Sequence, residues 1–84
     1  MKITMYGTRN CPDVRAALEE AAQKKIELDF RNFDEDITAL KEFIRLRDAS
    51  PKFDGIKKDG GIGIPCFIDA AGEPVFELEE AIKH

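Results

Sequence analysis

Two cysteines carry most of the chemistry this chain can perform. Cys11 is followed by Pro12, Asp13 and Val14, and comes just after the apolar run Ile3-Thr4-Met5-Tyr6 and the turn-forming Gly7-Thr8-Arg9-Asn10. Cys66 lies far along the chain, directly after Gly63-Ile64-Pro65. A thiol placed where a strand gives way to a helix meets unpaired backbone N–H groups and the positive end of the macrodipole, and both favour thiolate over thiol. The thiolate is the form that attacks a disulfide sulfur. Arg9 and Arg15 bring positive charge close to Cys11 in sequence, and Asp13 opposes them. Pro12 suits a first helical position, where its missing N–H costs nothing.

Other chemistries fit less well. Zinc binding is not expected, because two cysteines and the terminal His84 stand at no ligand spacing. His84 has no assigned role. A net charge of −4 gives no electrostatic reason to expect nucleic acid or an anionic membrane as partner. No segment reaches the roughly 20 apolar residues that span a bilayer. The N-terminus lacks a basic region followed by an apolar one, so a cytoplasmic location is expected. Two cysteines also suit a reducing compartment better than a stapled secreted domain, which more often carries more.

The elements that must position Cys11 can be read from periodicity. Lys2 to Tyr6 reads as a strand, and Val14, Ala17, Leu18, Ala21 and Ala22 as the buried stripe of a helix beginning at Pro12. Glu20 and Lys24 form an i,i+4 pair in the favourable order. Ile26, Leu28 and Phe30 alternate with charged residues, as in a half-buried strand. Asp34-Glu35-Asp36 opens a second helix whose expected stripe is Ile37, Leu40, Phe43 and Ile44, ending near Asp48 because Pro51 cannot continue it. Pro51 to Asp54 can nucleate a short helical turn, and Lys57 to Gly61 reads as a solvated turn. Cys66-Phe67-Ile68 and Val75-Phe76 form an expected hairpin, with Pro74 tolerated at a strand start. Leu78 to Lys83 closes the chain as a short helix.

The expected fold is therefore a single α/β domain over residues 1–84, in the order βαβαββα. Helix-linked strands run parallel, so the sheet is mixed and four-stranded, with helices on both faces.

That order, with Tyr6-Gly7-Thr8-Arg9-Asn10-Cys11-Pro12 after the first strand and Gly63-Ile64-Pro65 before the third, resembles the glutaredoxin family of the thioredoxin fold. The similarity covers essentially the whole chain. The pairing of Cys-Pro-Asp with Ile-Pro-Cys-Phe is similar to a small bacterial glutaredoxin-related group. The resemblance implies that Cys11 is a nucleophile and Pro65 a cis-proline beside it. An X-Pro bond adopts cis at low cost. The backbone of Ile64 would then pair with an incoming peptide or glutathione-like thiol as one strand pairs with another.

The chain also departs from the family. The dithiol members' second cysteine is Val14 here, and Pro12-Asp13-Val14 replaces the monothiol Gly-Phe-Ser. The family's lysine before the cysteine is Thr8, with Arg9 beside it, and the glycine pair that helps hold glutathione has no counterpart near Val75 to Glu79.

Single residues keep two readings. Cys66 is either a small hydrophobe in its strand or a thiol that resolves a mixed disulfide on Cys11, depending on strand phase. Tyr6 is a core or site-edge aromatic. Arg9 is a substrate-carboxylate contact or an exposed loop arginine. Val14 packs into the helix's buried face and leaves that position without a resolving thiol.

The implied activity is thiol–disulfide exchange, an electron-transfer chemistry, through a single thiol. It needs no bound cofactor. Glutathione or another low-molecular-weight thiol serves as co-substrate, a disulfide-bearing protein is a possible partner, and a monomer suffices. The alternatives are a binding module that uses the proline groove without redox cycling, or an iron–sulfur carrier. A bridging cluster would need Cys11 from two chains plus external thiols, and Pro12 argues against it.

Overall fold

Ile3, Met5 and Gly7 alternate with half-buried Thr4 and Tyr6 along the first strand, β1 (Lys2–Gly7). A computed structural model describes residues 2–82 of the chain; Lys83, expected to end the last helix, and His84 lie outside the described residues. Helix α1 (Pro12–Gln23) carries the chain over the sheet to β2 (Glu27–Asn32). β2 runs parallel to β1 from Lys2 opposite Glu27 to Gly7 opposite Asn32. Helix α2 (Ile37–Ala49) follows, then a 3-10 turn (Pro51–Phe53) and a short helix α3 (Asp54–Lys58). Strand β3 (Cys66–Ile68) is antiparallel to β1, and β4 (Pro74–Val75) is antiparallel to β3. Helix α4 is Leu78–Ile82. The sheet order is β2-β1-β3-β4, so the expected mixed four-stranded sheet is present.

Two apolar clusters lie on opposite faces of that sheet. On one, Val14, Ala17 and Ala21 of α1 and Leu78 and Ala81 of α4 cover Ile3, Met5, Phe67 and Val75. On the other, Phe43 of α2 and Phe53 of the 3-10 turn pack with Cys66, joined by Tyr6, Phe33 and Phe76. The second cluster is largely aromatic. Phe43 stands 5.4 Å from Phe33 and 5.7 Å from Phe53, and Phe53 meets Phe76 edge-on at 5.1 Å. Offset and edge contacts of this kind add about 0.5–1.5 kcal/mol each beyond area burial.

Of the expected stripes, Val14, Ala17, Ala21 and Phe43 are buried, while Ile37, Ile44 and Ala22 are not. Ile37 and Ile44 are 63% and 46% exposed. The face of α2 that meets the sheet carries Ala39 and Phe43, with Leu46 packed beside them. Ile37 and Ile44 are two turns apart and share a face rotated away from that one. Ala22 is likewise exposed, one residue past buried Ala21. Small Ala39 marks the contact less clearly than a large apolar residue does. Asp36 caps α2 through its side chain, which accepts from the Thr38 N–H at 2.9 Å, as expected for the acidic helix start. The segment after Pro51 holds more helix than a single turn, and β4 ends one residue early because Phe76 turns onto Phe53.

At the end of β1 the helix approaches closely. A Cβ on Gly7 would lie 2.7 Å from Cγ2 of Val14. The glycine thus lets α1 settle against the strand that leads into Cys11.

Candidate functional site

Cys11 is the N-cap of α1, with extended backbone at φ −94° and ψ 124°. Its carbonyl accepts from the Arg15 N–H at 3.1 Å, and its own N–H donates to Thr8 O at 3.1 Å. The thiol is half-buried and packs against the cluster beneath α1.

The turn before it is held by a residue from the turn that follows β2. Asp34 accepts from the Thr8 hydroxyl at 2.7 Å, from the Arg9 N–H at 3.1 Å and from the Asn10 amide at 3.4 Å. Because β1 and β2 are parallel and in register, the residues just past their ends meet. Asp34 therefore organises the Cys11 turn, a role its place in an acidic run did not announce.

Cys11 opens onto a groove of about 1170 Å³. One wall is α1, with Asp13, Ala16 and Glu20. Another is the loop from Gly60 to Pro65, and a third is the segment from Phe76 to Glu79. The Ile64-Pro65 bond is cis, as the resemblance implied. Arg47 of α2 fixes the loop from behind. Its Nε donates to Ile62 O and its Nη2 to Gly61 O, both at 2.9 Å. Neither the N–H nor the carbonyl of Ile64 has a hydrogen-bond partner among the described residues. The groove thus offers a free backbone edge beside a thiol.

Of the residues singled out from sequence, Thr8, Cys11, Asp13, Ile64 and Pro65 line this groove. Pro12 is exposed at the first helical position but does not line it. Five of the residues singled out lie away from the groove. Arg9 does not reach the groove; its guanidinium lies 5.0 Å above the Phe30 ring, a cation–π contact that holds it elsewhere. Arg15 is likewise turned away, donating to Arg9 O at 2.6 Å. Tyr6 points to the opposite face, where its hydroxyl donates to Glu42 at 3.3 Å. Its pKa is raised, first by burial and then by Glu42. Val14 is fully buried in the core and contacts no groove.

Cys66 is the fifth. It is opposite Tyr6 in the sheet and shares its face, while Phe67 next to it faces Cys11's side. Strand alternation therefore places the Cys66 thiol across the sheet from Cys11, packed with Phe43 and Phe53 at 0% exposure. Of its two readings, the packed one describes its position. Burial pushes its thiol from the ordinary 9.0 up to about 12.

That burial has a measurable consequence. The unfolded chain ionises this thiol near its ordinary value, while the folded chain keeps it protonated to about 12. The raised pKa contributes stability that is complete below 9.0 and is lost as pH climbs toward about 12, at up to about 1.4 kcal/mol per pH unit. Denaturant titrations on either side of that onset should show the loss, and Cys66→Ala should flatten it. An equal slope in the variant would remove Cys66 as its source.

Arg47 invites a second measurement. Arg47→Met is expected to cost about 1–3 kcal/mol and to speed amide exchange at Gly61, whose N–H donates to Ile56 O at 2.8 Å. Arg47→Lys should recover less than half, since one ammonium does not reproduce the planar fork. Unchanged exchange at Gly61 would show that the loop holds itself.

Sequence reasoning passed over the groove's far wall. Glu77 precedes α4, Glu79 lies in its first turn and Ile62 stands 60% exposed at the loop. Among the described residues, no group of three or more metal-binding side chains is placed to hold an ion, and no helix is long and apolar enough to cross a membrane.

A mixed β2-β1-β3-β4 sheet, helices on both faces and a cis-proline loop opposite an N-capping cysteine define an α/β protein of thioredoxin-like topology. The chain belongs to the same family as an uncharacterized protein of Haemophilus influenzae, to which it is 32% identical over 79 residues, covering 94% of this chain and 92% of that one. No family model matches the chain, and no solved structure matches it.

Proposed function

We propose that this protein is a glutaredoxin-like thiol–disulfide oxidoreductase that works through Cys11 alone. The observation that supports this best is the accessible Cys11 thiol at the start of α1, on a groove whose opposite wall presents the free backbone edge of Ile64 beside cis Pro65. The Cys11 thiolate attacks one sulfur of a disulfide. A bond forms between Cys11 and that sulfur, the original S–S bond breaks, and the other sulfur leaves as a thiolate. A low-molecular-weight thiol from solution then attacks the mixed disulfide and regenerates Cys11. Val14 fills the position where a dithiol relative has its second cysteine, and Cys66 is sealed on the other face, so the second thiol comes from outside the chain.

The test is intact mass after brief exposure to a small neutral disulfide such as 2-hydroxyethyl disulfide. A single adduct on Cys11, removed by excess thiol, is the expected result. A loss of two hydrogens instead would mean a Cys11–Cys66 bridge. An unmodified protein would favour the second reading, in which the groove only binds. The buried resolving position is the observation behind that reading, and its mark is peptide binding unaffected by Cys11→Ser.

A further inference from the structure

The groove's charge narrows what can occupy it. Four carboxylate side chains line it, Asp13, Glu20, Glu77 and Glu79, and no lysine or arginine among the described residues does. Lys24 compensates only part of this, reaching Glu20 at 2.9 Å and Glu79 at 3.3 Å. Asp13 and Glu77 form no ion pair with any described residue. The described cations nearby are occupied or lie outside. Arg9 stacks on Phe30, Arg15 holds Arg9 O, and Arg47 is bound to Gly61 O and Ile62 O. Lys57 and Lys58 end α3 without lining the groove.

Two further features describe the occupant's backbone and side chains. The unpaired N–H and carbonyl of Ile64 suit an extended chain that pairs with them. Exposed Ile62 and half-buried Phe76 supply apolar contact beside that edge. A small anionic thiol such as glutathione would bring its carboxylates into a field of like charge, which disfavours it.

We infer that the groove takes an extended, disulfide-bearing polypeptide segment with lysine or arginine beside its cysteine, whose cation pairs with Asp13 and Glu77. This rests on the thiol-exchange reading of Cys11 and names its substrate class.

The experiment uses three peptides alike except that a single cysteine is flanked by Lys, Gln or Glu. Each cysteine is activated as a mixed disulfide with thionitrobenzoate. Attack by Cys11 forms the Cys11–peptide disulfide and releases the coloured aryl thiolate, with no net oxidation. Rates are divided by those of the same peptides with 2-mercaptoethanol, which removes their intrinsic reactivity. At low salt the Lys peptide should react roughly tenfold faster than the Glu peptide, and the gap should close as salt rises. Asp13→Asn with Glu77→Gln should bring the two rates together. Normalised rates within about twofold of each other in the native protein, or a preference unchanged in the double variant, overturn the inference.

A binding arm separates this from failure of the exchange reading. Labelled Lys and Glu peptides without the aryl group are titrated against Cys11→Ser. Tighter binding of the Lys peptide supports the charge preference even if no peptide releases thiolate, and that absence of release would sink the exchange chemistry alone. Equal binding of the two overturns the preference.

Discussion

Cys11→Ser should leave the fold intact and abolish mixed-disulfide formation, with no adduct after exposure to a neutral disulfide and no thiol-dependent reductase turnover above the uncatalysed rate. The substitution exchanges sulfur for oxygen at an N-cap, a position where serine is a favoured residue, so α1 should form as well as before. A hydroxyl, however, is not a nucleophile toward disulfide sulfur at neutral pH, and no second thiol can take over. Cys66 lies across the sheet at 0% exposure with its thiol pushed up to about 12. The complementary Cys66→Ala variant should keep the adduct and the turnover. Residual activity in Cys11→Ser that disappears only when Cys66 is also removed would overturn this assignment, and alkylation of the folded chain at both cysteines would do the same.

Gly63→Ala is expected to be the most damaging small substitution near the groove. Gly63 has φ +100°, and a Cβ there would sit 2.8 Å from Cε2 of Phe53, a ring with 0% exposure in the second cluster. The ring is held between Phe43 and Phe76 and has little freedom to move. The backbone strain and the overpacking together should cost about 2–5 kcal/mol, a large share of the roughly 5–15 kcal/mol that holds a small domain folded. Gly60→Ala is the natural comparison. It also has positive φ, +81°, but nothing lies within 4 Å of its added Cβ. It should lose only about 1–2 kcal/mol. Urea midpoints measured side by side decide the matter. Equal shifts would mean the Phe53 contact yields freely, and that the loop next to Ile64-Pro65 is not braced by the aromatic cluster.

The strands, the parallel β1-β2 pair and the β3-β4 hairpin were legible in the sequence because alternating runs, a helix crossover and a turn leave few local arrangements, whereas the pairing of β1 with β3 rests on contacts far apart along the chain. The thiol position was legible for the same reason: Cys11 falls where one such strand ends. Side-chain direction at the ends of elements was not. Arg9 and Arg15 are close to Cys11 along the chain, yet both spend their guanidinium groups elsewhere, one on Phe30 and one on a carbonyl. The phase of β3 decided the position of Cys66, and a strand covering only Cys66–Ile68 is too short for alternation to reveal it in advance. Asp34 and Arg47 reach the site from β2's end and from α2 through tertiary contacts. The parallel register made Asp34 inferable in retrospect, since Gly7 faces Asn32. Arg47 carries no comparable signal.

Because Phe43 and Phe53 wall off one sulfur while the other stands at an open rim, the native chain cannot cross-link to itself. A disulfide formed on the folded chain therefore joins Cys11 to a partner from outside it, whether a small thiol, another protein or a second copy. The share of chains so joined is set by the ratio of disulfide to thiol in the surroundings.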